Sequence, residues 1–161
     1  MVSELTQKLV AQAKPDARRA TLQILGTLVP LGLLWALSFH VVQSSRLLAV
    51  ALTPLAAALF LRVFVFAHDC GHGAFFPSRT ANDFCGFWLG ALSLTPYRYW
   101  QHTHNAHHAT SGNLDRRGLG DVTMLTRREY EALPSSQKRA YRLARHPLVL
   151  LGIGPFLLFW I

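Results

Sequence analysis

Acidic residues and cysteines are both scarce in this chain of 161 residues. Eight Asp and Glu stand against sixteen Lys and Arg, a formal net charge of +8, and there are only two cysteines. Cys70 and Cys85 cannot build the dense disulfide framework of a small secreted domain, and they read as reduced thiols. Charge of either sign is missing from Thr21 to Val42, and Leu47 to Ala67 holds Arg62 alone. No small-residue cleavage site follows the first uncharged block. That block is also too long for the apolar core of a signal peptide, so no cleavable signal is expected. Internal repeats and low-complexity tracts are lacking as well, which excludes repeat architectures.

What is present is apolar sequence in blocks. The hydrophobic fraction is 51%, and each uncharged block meets the roughly 20 residues that a bilayer span requires. So short a chain cannot wrap two such segments in protein, which favours membrane helices over a pair of buried core helices. Gln43-Ser44-Ser45-Arg46 is a very short connection, so a tight helical hairpin is expected, with Pro30 kinking its first arm. Basic residues precede the hairpin (Lys8, Lys14, Arg18, Arg19) and follow it, with Arg46 alone at the tip. The positive-inside rule then puts both ends in the cytosol. Arg62 can snorkel to that face and His40 reads as an interfacial residue. Basic residues that flank apolar blocks suit lipid headgroups rather than nucleic acid.

Other segments are shorter. Ser3 to Gln12 reads as a surface helix ended by Pro15. Phe84 to Thr95 is apolar but too short to span, so a re-entrant or interfacial segment is expected, with Tyr97, Tyr99 and Trp100 at headgroup depth. In the polar region Ala109 to His146, Thr126 and Glu129 form a capping box, Pro134 ends that helix, and Ser136 to Arg145 forms a second one on the membrane surface. A further apolar block starts at Pro147. The expected organisation is one incomplete domain: a cytosolic N-terminus (1–20), a transmembrane hairpin (21–67), a cytosolic histidine region (68–146) and the start of a truncated third helix (147–161).

Six of the eight histidines lie between His68 and His108. His68 and His72, four apart, share one helical face, with Gly71 and Gly73 ending the helix close by. His104, His107 and His108 are spaced i, i+3, i+4, so that His107 and His108 fall on either side of His104, each within about 60° of it, while His102 points roughly opposite. Several neutral imidazoles on one face suit iron, zinc or copper and are costly to pack without a metal. Five ligand candidates follow: His68, His72, His104, His107 and His108. Asp69, Asp115 and Asp121 are candidates to accept the second N–H of a ligating ring, Asp69 foremost. Asn105 is a candidate ligand or orienting donor, or is merely exposed.

His68-Asp69-Cys70-Gly71-His72 and Trp100-x-x-x-His104-x-x-His107-His108 resemble the first two histidine boxes of membrane fatty acid desaturases. The stretch His107 to Val122 is similar to bacterial acyl-lipid members of the Δ12 or omega-6-like group. The resemblance implies an all-α fold, the N-terminal part of a four-helix membrane bundle under a cytosolic cap, in a bacterial inner membrane. It implies a site for two iron ions to which the five histidines contribute ligands and which this chain alone does not complete. It also implies O2 and two electrons, from a ferredoxin or b-type cytochrome, used to introduce a cis double bond into the acyl chain of a membrane lipid. The family's third box, of the HxxHH type, has no counterpart here: His146 stands alone. Thr123 stands where an aromatic residue is expected. A fragment or truncated product is therefore expected. Competing expectations are a related di-iron hydroxylase, an inactive truncated membrane protein and a metal carrier. Transport would place ligands near the bilayer midplane, and these lie at helix ends.

Overall fold

A computed structural model describes residues 14–117 and 123–154, and every regular element among them is helical. The chain divides into two compact units, Met1–His102 and Thr103–Ile161. The expected helix at Ser3 to Gln12 lies outside the described residues.

In the first unit, α1 (Ala17–Val41) and α2 (Arg46–Gly71) are the two helices long and apolar enough to cross a membrane. Each starts where a side chain satisfies an orphan backbone donor. Asp16 accepts from the Arg19 amide at 2.7 Å, and Ser45 accepts from the Leu48 amide at 3.3 Å. The four residues between them close the hairpin, and α1 runs unbroken through Pro30. Leu31, Val63 and Phe66 are buried where the arms meet, with Trp35 and Phe60 6.3 Å apart between ring centres. Most other apolar side chains face outward, Phe39 being 75% and Leu47 81% exposed. Core helices of a water-soluble protein would hide these residues, whereas lipid solvates them.

Helix α2 ends at Gly71, and the chain turns at Gly73, whose φ of +69° is open to glycine at no steric cost. The return segment is tied down by α3 (Arg79–Leu92), and in particular by Asn82, which is 1% exposed. Its carbonyl oxygen accepts from the amides of Phe75 (3.2 Å) and Phe76 (2.9 Å), while its amide donates to the carbonyls of Phe76 (2.7 Å) and Ser78 (2.9 Å). The Phe75 ring stacks on Phe66 at 5.0 Å, closing the segment over α2. Helix α3 begins at Arg79 rather than near Phe84, because Ser78 caps it and Asn82 anchors its first turn. Expected as an apolar stub, it has a polar start.

The next helix, α4 (Tyr97–Thr110), opens on a residue placed differently from expectation. Tyr97 does not present its ring outward: it is 3% exposed, seated against Gly86 and Gly90 of α3. Burial pushes its phenol up to about 12, so it stays protonated, with the hydroxyl 3.5 Å from the Asn82 carbonyl. Tyr99 is exposed, in keeping with the interfacial reading.

In the second unit, Asn113 caps a short 3-10 turn, Leu114–Arg116, and α5 (Arg127–Ala132) and α6 (Ser135–Ala144) follow. The capping box is present: the Thr126 hydroxyl accepts from the Glu129 amide at 3.2 Å and Glu129 accepts from the Thr126 amide at 2.7 Å. Pro134 separates the two helices. A π-helical stretch, Val149–Ile153, begins the last apolar block.

Arg117 clamps the Glu129 carboxylate by donating from both terminal guanidinium nitrogens, Nη1 and Nη2. The Arg117 bonds first, then the Thr126 amide and hydroxyl, lower the Glu129 carboxyl from 4.5 to about 2. A carboxyl lowered by folding contributes stability that is complete above the unfolded value and is lost as pH falls through the folded one. The cap should therefore loosen only between pH 4.5 and about 2. NMR titration of the Glu129 carboxyl should place its midpoint near the lower end, and Glu129→Gln should abolish the pH dependence of α5 helicity in that window. A midpoint in the ordinary carboxylate range would show that the clamp is not formed.

Candidate metal centre

The first histidine pair is built by the end of α2. An apolar helix delivers His68 to the last turn and His72 to the cap position, and their i, i+4 spacing brings Nε2 to Nε2 at 3.3 Å. Asp69 lies 3.0 Å from His68 Nδ1. A carboxylate only accepts, so this contact puts the ring hydrogen on Nδ1 and leaves the His68 Nε2 lone pair facing His72. Of the residues expected to orient imidazoles, Asp69 lies against the His68 ring.

Two residues of α4 hold this end of α2. The Trp100 ring lies 5.5 Å from the His68 ring and 5.7 Å from Phe64, and it covers Gly71, where a Cβ would come within 2.8 Å of the indole. Gln101 donates to the Gly71 carbonyl at 3.0 Å, filling an acceptor left open by the helix end. Glycine at 71 is therefore required by the close approach of an aromatic ring. An apolar-to-histidine transition in the sequence says nothing of this. Neither Asn82 nor Gln101 is evident from spacing, and nothing in the polar run Ser78 to Asp83 singles Asn82 out.

The second set lies on the later turns of α4. His104 and His108 bring Nε2 to Nε2 at 3.1 Å. The His107 ring stands 6.2 Å from His104 and 5.6 Å from His108, on the same helix. With Ser111, Asn113, Leu114 and Arg117, His107 lines a small cavity of about 150 Å³. His102 is exposed, as is Asn105. Asp115 sits exposed in the 3-10 turn, its amide donating to Asn113 at 3.0 Å, and Asp121 lies outside the described residues.

In chemical terms the two pairs are alike. Each brings two imidazole nitrogens within hydrogen-bond distance, a costly arrangement unless a hydrogen or a cation lies between them. His68 with His72, and His104 with His108, are each a pair of nitrogen donors able to ligate a metal ion, and imidazole nitrogens suit iron, copper or zinc rather than calcium or magnesium.

Comparisons with known proteins bear on which chemistry this is. The family model described as fatty acid desaturase matches residues 45–161. A fatty acid desaturase of Bacillus subtilis is 44% identical over 158 residues, covering 98% of this chain and 45% of that protein. A probable fatty acid desaturase of Sorghum bicolor is 37% identical over 98 residues, or 61% of this chain and 25% of that protein. An sn-1 acyl-lipid omega-3 desaturase (ferredoxin) of Synechocystis is 48% identical over 61 residues, or 35% of this chain and 16% of that protein. The chain spans less than half the length of these curated relatives. No solved structure matches it. With both boxes inside the matched residues and two apolar helices of spanning length before and beside them, this is a membrane protein, and the chain belongs to the fatty acid desaturase family.

Proposed function

We propose that the chain supplies part of the metal centre of an acyl-lipid desaturase, with His68, His72, His104, His107 and His108 as iron ligands. The observation that carries this is the pair of imidazole contacts, Nε2 to Nε2 at 3.3 Å and 3.1 Å, each set by helical i, i+4 spacing. When bound, iron would supply the oxidising power, with O2 and two electrons, to remove two hydrogens from unactivated methylenes and leave a cis double bond.

The chain's own residues contribute position. Asp69 fixes the His68 tautomer so that Nε2 presents a lone pair. Trp100 and Gln101 brace the turn that carries His68 and Gly71. Helices α1 and α2 offer an outward apolar surface along which an acyl chain can lie. The cytosolic face of a bacterial inner membrane is the side we assign to the histidines, from the positive-inside pattern. The ferredoxin in the names of two cyanobacterial relatives, from Synechocystis and Nostoc, supports a small acidic redox protein as electron donor. Hydroxylation by the same centre remains the alternative outcome at the same methylene; the desaturases among the relatives favour the double bond.

Iron content tests the ligand assignment. The full chain purified in detergent should carry iron that His68→Ala and His107→Ala each reduce and that His102→Ala leaves unchanged. Asp69→Asn should weaken iron binding about 10- to 100-fold, the usual effect of removing a ligand's orienting partner. Iron content unchanged in both His68→Ala and His107→Ala would remove them from the ligand set. Acyl profiles of cells expressing the protein test the reaction: new unsaturated chains support it, and hydroxylated chains in their place would overturn desaturation.

A further inference from the structure

Helices α5 and α6 enclose an open cleft of about 420 Å³, lined by Leu125, Tyr130, Tyr141, Arg127, Arg142 and Arg145. At about 100° per residue, Lys138, Tyr141, Arg142 and Arg145 share one face of α6, and Arg139 falls away from it. The two tyrosine rings are 5.5 Å apart. The Arg145 guanidinium sits 3.7 Å from the centre of the Tyr141 ring and the Lys138 ammonium 5.9 Å from that of Tyr130. The Tyr141 hydroxyl accepts from the Leu125 amide at 3.2 Å, which fixes the ring. Cations held against aromatic faces in this way are already positioned for an anion.

The charge here is mostly uncompensated. Glu131 neutralises Arg127 at 2.7 Å, but Arg142 donates to the Lys138 carbonyl and Arg145 to the Thr123 carbonyl, neither of which carries charge. Cations beside aromatic and aliphatic walls suit a ligand with an anionic group and an organic body. Just beyond the cleft the chain becomes apolar and outward-facing, with Leu148 75% and Leu151 82% exposed. Basic and apolar surface side by side suits a bilayer interface better than an acidic soluble protein.

We infer that the cleft between α5 and α6 binds the phosphodiester headgroup of an anionic membrane lipid. It would hold the polar region of the chain against the membrane, independently of any metal.

The test titrates the full chain in neutral detergent, by calorimetry, with short-chain phosphatidylglycerol below its micelle concentration. Short-chain phosphatidylcholine and inorganic phosphate serve as the other arms. Each basic residue near an anionic lipid surface is worth about fivefold in binding. Phosphatidylglycerol should therefore bind at least about fivefold more tightly than phosphatidylcholine, and Arg142→Gln with Arg145→Gln should erase that preference. Lysine at both positions, or Arg139→Gln, should keep it. If the double glutamine variant loses its helical circular dichroism, Arg142→Gln alone carries the test with about half the logarithmic effect. Equal affinity for the two lipids would overturn the inference, as would inorganic phosphate binding as tightly as phosphatidylglycerol. So would a preference untouched by either glutamine variant, or capture of polyglutamate in place of the lipid.

Discussion

Asn82→Ala should destabilise the first unit by about 4 kcal/mol, a large fraction of the roughly 5–15 kcal/mol that holds a domain folded. The substitution removes the partners of the Phe75 and Phe76 amides and of the Phe76 carbonyl, in a segment whose two phenylalanines are buried. Each orphaned buried group costs about 1–3 kcal/mol, because water cannot replace the lost partner. The Ser78 carbonyl is spared, since it also accepts from the Asn82 backbone amide at 3.0 Å. Asn82→Asp should fare little better. A carboxylate can still accept from the two amides, but it would face the Phe76 and Ser78 carbonyls with acceptor against acceptor and bury a charge. Thermal unfolding of the chain in detergent, followed by circular dichroism, measures both variants. A loss below about 1 kcal/mol in Asn82→Ala would mean that the segment after His72 is held by its aromatic packing alone.

The hairpin was legible because its physics is local. Uncharged runs of spanning length and a very short connection suffice to define two helices. The capping box at Thr126 was legible for the same reason, since its donors and acceptors lie three residues apart. The histidine pairs follow from i, i+4 spacing on a helix. What could not be read was long-range in sequence. Tyr97 carries a hydroxyl and follows an apolar segment, so its composition points to the interface. It is buried because Gly86 and Gly90, on a different helix, leave room for its ring. Asn82 reads as a surface amide until the segment that it anchors is seen seven residues upstream. Trp100 and Gln101 meet His68 and Gly71 about thirty residues away. No periodicity encodes such meetings.

Gly86→Ala should destabilise the chain, although the same change is favourable in most helices. Replacing a mid-helix glycine by alanine ordinarily stabilises by up to about 1 kcal/mol through backbone entropy. At Gly86 the new methyl would lie 2.3–2.5 Å from the ring end of Tyr97. That ring cannot swing aside cheaply: Tyr97 is 3% exposed, and its own Cβ approaches Gly90, where a methyl would stand 2.9 Å away. Overpacking of this kind costs about 1–3 kcal/mol, and set against the full helical gain of about 1 kcal/mol it leaves a net loss of up to about 2 kcal/mol. Gly26 and Gly32 provide the opposite sign within the same chain, since a Cβ at either meets nothing within 4 Å among the described residues. Alanine there should raise thermal stability. The decisive measurement is the pair with Tyr97→Leu. Removing the ring end removes the collision, so Gly86→Ala should destabilise the parent and stabilise the leucine variant. An effect of the same sign in both backgrounds would mean that α3 and α4 do not approach through these glycines.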